Sequence, residues 1–84
     1  MAFKVFLEKK TSRQIEALDQ EIKKRVLVTL KELEKGFSSR LDIKKLKGTR
    51  NHYRIRVGNY RILLAIEYEM AYVYDISHRG SVYK

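Results

Sequence analysis

The sequence predicts a small α+β domain in which helices pack on one face of a mainly antiparallel sheet. Three observations support this prediction: alternating apolar residues begin the chain, a helical stripe of apolar residues follows, and the alternation returns in the second half. The chain has 84 residues, 44% of them hydrophobic, which is enough for one core. We therefore expect residues 1–84 to form a single domain.

The first strand is predicted close to the N-terminus. Phe3, Val5 and Leu7 alternate with residues that include Lys4 and Glu8, so one set of side chains faces a core. The segment soon becomes charged and lacks the long apolar stretch of a secretion signal, so we expect a cytoplasmic protein. The longest apolar run, residues 62–66, is far shorter than the roughly 20 residues that cross a membrane, and no membrane partner is predicted.

A helical segment follows the first strand. Thr11 or Ser12 is a candidate N-cap. Asp19 is a second candidate cap, so the segment is either one helix or two, and Gly36 is a natural C-terminal stop. Apolar residues recur at steps of three or four and form one stripe on a charged surface: Ile15, Leu18, Ile22, Val26, Leu30 and Leu33. We interpret the stripe as core; the alternative is that part of it is an exposed groove for a partner helix.

The second half of the chain predicts a meander of three strands. Residues 37–50 are interpreted as a polar, basic connection. Alternation then predicts strands at 53–57, 60–68 and 71–77. Gly58-Asn59 is suited to a two-residue hairpin turn, and a second turn is expected near Glu69.

Three arginines, Arg54, Arg56 and Arg61, lie in the predicted hairpin, and we call them the arginine trio. With a two-residue turn, Arg56 lies opposite Arg61 and Arg54 lies opposite Leu63. The trio then projects from one face of the sheet. The apolar neighbours project toward the helices: Tyr53, Ile55, Val57, Tyr60 and Ile62.

The arginine trio has no predicted acidic partner. The following strand offers only Glu67, and Glu69 lies near its turn. Like charges on opposite strands destabilise a sheet, so a merely solvated face is a poor explanation. We interpret the trio as a site for an anionic ligand such as a nucleic-acid phosphate, which arginine binds through two parallel hydrogen bonds.

The net charge of +9 is concentrated in residues 40–61, which hold eight basic residues and one acid, Asp42. This block of +7 in 22 residues indicates a polyanionic partner, nucleic acid first; the alternative is a generic basic surface that keeps the protein soluble. Four further residues of the block are candidate RNA contacts: Lys44, Lys45, Lys47 and Arg50. The chain has no cysteine, and two histidines alone do not make a zinc site, so we predict neither a metal nor a cofactor.

Three segments resemble a known superfamily: KLKG at 45–48, YRIRVGNYRI at 53–62 and HRGSVYK at 78–84. They are similar to the RelE/ParE toxins of type II toxin–antitoxin systems, and to the RelE branch more than to the ParE branch. The resemblance covers the whole chain, since the family order is a strand, two helices and a three-stranded meander. It implies a ribosome-dependent mRNA endonuclease (an mRNA interferase) that inhibits translation.

The resemblance also implies a chemistry. RelE toxins cleave the mRNA codon in the ribosomal A site without a metal: the 2′-hydroxyl attacks the adjacent phosphate and leaves a cyclic phosphate and a 5′-hydroxyl. Carried over by position, Arg61 holds the phosphate, Arg79 is the general acid and Tyr83 stacks on the nucleotide. Arg54 and Arg56 fall where the best-known members have two lysines, one of which helps as the base.

The change from lysine to arginine leaves the base open. With a side-chain pKa of about 12.5 or more, on the order of one arginine in 10⁵ is neutral at pH 7. We therefore expect the arginine trio to act electrostatically, while water, ribosomal RNA or a histidine takes the proton. His78 is the first protein candidate for acid or base, and His52 ranks below it.

Two other functions remain compatible with the sequence. One is a ParE-like toxin that acts on DNA gyrase, and the other is a non-catalytic RNA- or ribosome-binding module in which the same arginines hold phosphates. As a RelE-like toxin, the chain is expected to have the ribosome, mRNA and a small acidic cognate antitoxin as partners.

Overall fold

The computed structural model describes residues 2–78 as one mixed five-stranded sheet with two helices. The elements along the chain are β1 (Lys4–Leu7), α1 (Lys9–Glu16), α2 (Gln20–Glu34), β2 (Ile43–Lys45), β3 (His52–Val57), β4 (Tyr60–Glu67) and β5 (Met70–His78). Their order across the sheet is β1-β5-β4-β3-β2; β1 runs parallel to β5 and the other neighbours are antiparallel. The predicted α+β class is confirmed. Neither described helix is long and apolar enough to span a membrane.

The helical segment forms two helices, which settles the alternative that the sequence left open. Asp19 occupies the N-cap position of α2, although its side chain makes no capping hydrogen bond. Gly36 lies just beyond the end of α2 with a φ of 104°, the left-handed conformation that commonly ends a helix. The predicted cap of α1 is wrong. The helix begins directly after Glu8, so Thr11 and Ser12 lie inside it, and Thr11 is buried.

The core lies between the helices and one side of the sheet. The apolar stripe of the helical segment is confirmed as core, because its residues are buried or pack against the buried cluster. Phe3 and Val5 of the first strand segment also pack there, whereas Leu7 is exposed. The last three strands contribute side chains to the same cluster: Ile55, Val57, Ile62, Leu64, Ala71, Val73 and Ile76. This side of the sheet is the helix face, and the opposite side is the open face.

The connection at 37–50 contains a short strand, β2, that the sequence analysis missed. Lys44 of β2 lies opposite Arg54 of β3. The strand is only three residues long and has a single apolar residue, Ile43, so it offers no alternation to detect. Its position matters because it brings the preceding residue, Asp42, against β3: the carbonyl oxygen of Asp42 accepts a hydrogen bond from the Arg56 N–H at 3.0 Å.

The hairpin of β3 and β4 has the predicted register. Arg56 lies opposite Arg61 and Arg54 lies opposite Leu63. Gly58 begins the two-residue turn with a φ of 58°, a conformation that glycine adopts without strain and that tight hairpin turns require. The second turn is also confirmed, at residues 68 and 69 between β4 and β5.

A β-bulge interrupts the pairing of β4 with β5. Leu63 pairs with Asp75 and Leu64 pairs with Val73, so Tyr74 is an extra residue without a partner in β4. Val73 and Ile76 are both buried although they are three positions apart, and in a regular strand they would face opposite sides. The extra residue of the bulge lets both side chains face the core. As a result, the side chain of Tyr74 leaves the sheet on the open face.

Helix α1 covers the edge of β5 beyond the end of β1. The Gln14 Oε1 accepts a hydrogen bond from the Ile76 N–H at 3.0 Å, and the Gln14 Nε2 donates one to Asp75 Oδ1 at 3.0 Å. Lys10 adds an ion pair with Asp75 at 3.5 Å. These contacts satisfy backbone and carboxylate groups at an edge that β1 leaves unpaired, which fixes the second half of β5.

Candidate nucleic-acid interface

The open face gathers the arginine trio. Arg54 and Arg56 alternate with the buried residues Ile55 and Val57, so their side chains leave β3 on the side away from the helices. Arg61 lies directly opposite Arg56 on the neighbouring strand and therefore projects from the same face. The expected clustering of the trio is confirmed by this register.

The trio is not unopposed, and that part of the interpretation is wrong. Asp42 Oδ1 lies 3.1 Å from Arg54 Nη1, and Asp42 Oδ2 lies 2.9 Å from Arg56 Nε. The carbonyl oxygen of Asp42 accepts a further bond from Arg54 Nη1 at 3.2 Å. Asp42 lies outside the hairpin, immediately before β2, and the pairing of β2 with β3 brings it to the two arginines.

Asp42 acts as a small anion on two of the three guanidiniums. Hydrogen bonds from Arg54 and then from Arg56 hold the pKa of its carboxyl below the ordinary value, so it stays ionised. Its side chain is 51% exposed, while that of Arg54 is only 16% exposed. A phosphate that approaches from solvent can therefore reach the pair at the place where the carboxylate now binds, and the geometry shows that both guanidiniums can hold one anion together.

The predicted lysine contacts lie beside the trio. Lys44, Lys45 and Lys47 line a surface pocket of about 400 Å³ together with Arg54. Lys44 is opposite Arg54 and shares the open face, whereas Lys45 is opposite Tyr53 and points to the other side. Arg50 is exposed and precedes β3 but is not among the residues that line this pocket.

The open face becomes aromatic beyond the arginines. Phe6 of β1 and Tyr72 of β5 stack with ring centroids 5.6 Å apart. The side chains are 43% and 38% exposed, so their rings are available to a ligand. A basic patch that continues into exposed rings is the combination that single-stranded nucleic acids bind, through phosphates and stacked bases respectively.

The structure does not bring His78 together with the arginine trio. His78 lies opposite Tyr60, which packs against the core, so both residues belong to the helix face. The two rings meet edge to face with centroids 5.1 Å apart. His78 also lines a surface pocket with Asp19 and Gly58 at that end of the sheet. Arg79 and Tyr83, the other predicted residues of the tail, lie outside the described residues.

His52, the candidate ranked lower, does lie on the open face. It precedes Arg54 by two positions in β3, and its Nδ1 is 2.9 Å from the hydroxyl oxygen of Tyr74. Sequence reasoning missed this pair and also missed the role of Asp42. The only sequence signal for Asp42 was that it is the single acid among the basic residues of 40–61. The sequence has no pattern that predicts the β-bulge, which directs the Tyr74 side chain to the open face.

Within residues 2–78 no group of three or more histidine, cysteine or acidic side chains could hold a metal ion.

Comparisons with known proteins agree with this architecture. The curated toxin RelE3 of Methanocaldococcus jannaschii is 36% identical over 83 residues, which cover 95% of this chain and 94% of that protein. The RelB–RelE antitoxin–toxin complex from Methanococcus jannaschii matches with a TM-score of 0.80 at 34% identity, over 93% of this chain and 94% of the other. No family model matches the chain.

A more distant structure supports the fold alone. The archaeal RelE–RelB complex from Pyrococcus horikoshii matches with a TM-score of 0.82 at 24% identity, over 95% of this chain and 98% of the other. Together with the 36% identity to toxin RelE3 across nearly the whole of both chains, these matches show that the chain belongs to the RelE family of toxins of toxin–antitoxin systems.

Proposed function

We propose that this chain is a ribosome-dependent endoribonuclease that cleaves mRNA in the A-site codon and thereby stops translation. The observation that supports this most directly is the gathering of Arg54, Arg56 and Arg61 on the open face of a RelE-family sheet. Nearby, Lys44 adds a further cation and the Phe6–Tyr72 stack offers rings to a base. Translating ribosomes are cytoplasmic, so the proposal places the protein in the cytoplasm.

The proposed reaction is an in-line transesterification. The 2′-oxygen of the nucleotide attacks the adjacent phosphorus, the P–O5′ bond breaks, and the products carry a 2′,3′-cyclic phosphate and a 5′-hydroxyl. The transition state concentrates negative charge on the phosphate oxygens, and preorganised cations at that position lower the barrier. A base, an acid and a cluster of cations are sufficient for this reaction, and we propose that it proceeds without a metal.

Each arginine of the trio has a proposed role. Arg61 and Arg56, which face each other across the hairpin, hold the non-bridging phosphate oxygens. Arg54, whose side chain is mostly buried, contacts the same phosphate from the neighbouring position on β3, where it now shares Asp42 with Arg56. None of the three is a suitable base, because an arginine is almost never neutral near pH 7. By resemblance, we propose Arg79 as the general acid and Tyr83 as the residue that stacks on the nucleotide.

Two candidates for the remaining proton transfer differ in position. His78 follows from the resemblance of the tail, but it lies on the helix face beside Tyr60. His52 lies on the open face beside Arg54. A general acid or base contributes roughly 10²–10⁴ to the rate, so variants of the two histidines are easily told apart by kinetics.

When RNA binds, Asp42 must give up or share its contacts with Arg54 and Arg56. Asp42 now contacts Arg54 and Arg56 at 3.1 and 2.9 Å, and an incoming phosphate competes for the same donors. Exchange of one anion for another costs little here, because ion pairs made by an exposed carboxylate contribute little net free energy. We propose that Asp42 keeps the two guanidiniums ordered in the free protein until RNA replaces it.

We also propose a cognate antitoxin of the RelB kind as a partner. The archaeal relatives matched above were solved as complexes of toxin with antitoxin. The net charge of +9 and the basic open face favour an acidic partner on electrostatic grounds. Such a partner that covers the arginine trio would block RNA from the same surface.

A cell-free translation assay tests the function. Primer extension on mRNA from a lysate that receives the wild-type protein should map cuts within A-site codons, and Arg61→Ala should produce none. Arg13→Ala removes an exposed arginine from α1 and serves as the matched control, with cleavage like that of the wild type.

The same lysate separates the two other functions. Ribosome or RNA binding that weakens steeply with salt, without any cleavage, would assign a non-catalytic binding module. Inhibition of DNA supercoiling by gyrase, again without mRNA cleavage, would assign a ParE-like activity. Either result contradicts the proposed endonuclease.

A further inference from the structure

A histidine–tyrosine pair lies on the open face in addition to the arginines. The Nδ1 of His52 and the hydroxyl oxygen of Tyr74 are 2.9 Å apart, and the two rings meet edge to face with centroids 5.4 Å apart. Both residues are half-buried, so the imidazole is held by its partner yet still reaches solvent. A histidine fixed through one ring nitrogen leaves the other nitrogen directed and available.

The pair depends on the β-bulge in β5. His52 lies on β3 and Tyr74 on β5, with β4 between them. The bulge makes Tyr74 an extra residue and directs its side chain across the open face, the re-aiming that bulges commonly produce beside functional sites. Ala65 of β4 lies directly opposite His52, and its small side chain leaves room for the two rings to meet above it.

The position of the pair matches that of the proposed phosphate site. Alternate residues of a strand are about 7 Å apart on the same face, so His52 lies one such step from Arg54. A nucleotide whose scissile phosphate contacts Arg54 can therefore place its 2′-hydroxyl at the imidazole. His78 has no such access, because the sheet itself lies between it and the trio.

We infer that His52 is the general base of the proposed cleavage and that Tyr74 is the residue that positions it. This inference rests on the proposed function. The Nε2 of His52 accepts the proton of the 2′-hydroxyl as the 2′-oxygen forms its bond to phosphorus. The P–O5′ bond breaks, the 5′-oxygen takes a proton from the general acid proposed above, which solvent water then reprotonates, and the imidazolium later releases its proton to solvent.

The hydroxyl of Tyr74 can support this role in either protonation state of the imidazole. When Nδ1 carries a proton it donates to the tyrosine oxygen, which leaves the lone pair of Nε2 free to accept. Burial, with a smaller contribution from the neighbouring Asp75, raises the pKa of Tyr74. The phenol therefore stays neutral across the pH range of the reaction and offers no competing negative charge.

The charged groups that face the pair come from several elements. Arg54 lies two positions along β3 from His52. Glu67 lies two positions beyond Ala65 on β4, and Asp75 is held by Gln14 and Lys10 of α1. On the side of β2, the Leu46 N–H donates a hydrogen bond to the His52 carbonyl oxygen, and the Leu46 side chain carries no charge.

Single-turnover cleavage on programmed ribosomes between pH 5.5 and 8.5 tests the inference. His52→Gln can still hydrogen-bond to Tyr74 but cannot take the proton, so its rate constant should fall by roughly 10²–10⁴ at neutral pH. The wild-type rate should fall at acidic pH, and this dependence should be absent from the variant. Binding to ribosomes that carry a 2′-deoxy codon, which cannot react, should be unchanged.

Two further variants separate positioning from folding. Tyr74→Phe should lower the rate constant by about tenfold, with unchanged binding and with the acidic fall retained. The matched control is Tyr68→Phe, at a hairpin tip where the side chain is 94% exposed, and it should behave as the wild type does. In His52→Ala, added imidazole should restore part of the lost rate, which no structural role of the residue explains.

The outcomes distinguish this inference from the proposed function. If wild-type protein cleaves, Arg61→Ala does not, and His52→Gln keeps both the wild-type rate and its pH dependence, the inference is wrong while the function stands. If His78→Gln abolishes the acidic fall instead, His52 is likewise not the base. If the wild-type protein leaves ribosome-bound mRNA intact, the proposed function itself fails.

Discussion

The helix face and the open face of this sheet are built from the same strands yet differ in almost every property. On the helix face, alternate residues such as Ile55, Ile62 and Leu64 are fully buried. On the open face, the residues between them are Arg54, Arg56 and Arg61, none of which is fully buried. Because successive side chains of a strand point to opposite faces, one hairpin contributes both to the core and to a cationic surface.

The difference indicates which substitutions should affect which property. The helix face contributes free energy through apolar burial, so losses there should appear in stability. The open face contributes charge and hydrogen-bond donors that meet solvent, so losses there should appear in RNA cleavage or binding. Neighbouring residues in sequence should therefore give opposite phenotypes.

The largest expected effect on stability comes from the helix face. Ile62→Ala leaves a cavity at a fully buried position of β4 and should lower the free energy of unfolding by about 2–5 kcal/mol. Urea denaturation followed by circular dichroism measures it. Leu27→Ala, at a helical position that is 45% exposed, is the control and should change stability by less than about 0.5 kcal/mol. Equal losses at both positions would mean that burial does not distinguish the two sides.

On the open face, Arg56→Ala should separate activity from stability. Loss of one preorganised donor to the phosphate should lower the cleavage rate constant by roughly 10²–10³. The change in unfolding free energy should be within about 1 kcal/mol, because the lost ion pair with Asp42 is exposed. Single-turnover cleavage and urea denaturation of the same preparation give both numbers. A variant that unfolds easily but cleaves normally once folded would reverse the assignment of the two faces.

A smaller effect, on RNA binding, is expected when the Asp42 carboxylate that contacts Arg54 and Arg56 is removed. Asp42→Asn frees Arg54 and Arg56 for phosphate, so non-cleavable RNA should bind more tightly, by up to about fivefold. The salt dependence of binding should also become steeper. Asp19→Asn removes the same charge from the helix face and should leave both quantities unchanged. Weaker binding by Asp42→Asn would show that Asp42 orders the arginines more than it competes for them.

The smallest effect concerns acid stability. The pKa of Asp42 is lowered in the folded state, so its contribution to stability is present above the ordinary carboxyl pKa and is lost as pH falls through the lower, folded value. Wild-type protein should therefore lose more stability than Asp42→Asn when pH falls below about 4. Thermal unfolding of both proteins across that range measures the difference. Parallel pH profiles would contradict the assigned ion pairs.

The sequence predicts the helix face well because its signals are local. The stripe from Ile15 to Leu33 and the alternation around the Gly58 turn are periodic patterns that specify helix, strand and register within a few residues. The same two-residue turn fixes which residues pair across the hairpin, so the position of Arg61 opposite Arg56 was predictable from the sequence as well.

The open face could be predicted only in part because its remaining contacts are distant in sequence. Asp42 reaches the trio through a three-residue strand that has one apolar residue. Tyr74 reaches His52 only because a bulge admits an extra residue to β5. Neither the short strand nor the bulge produces a periodic pattern in the sequence. Contacts between such distant segments therefore become visible only in the three-dimensional structure.

The most direct test of the account compares two adjacent residues, Arg61 and Ile62, that face opposite sides of β4. Arg61→Ala and the mild core change Ile62→Val are added at equal folded concentration to ribosomes with an mRNA codon in the A site, and the fragments are mapped and their ends identified. We expect Ile62→Val to cleave as the wild type does and to leave a 2′,3′-cyclic phosphate, while folded Arg61→Ala leaves the mRNA intact. Equal cleavage by the two variants, or none by the wild type, would contradict it.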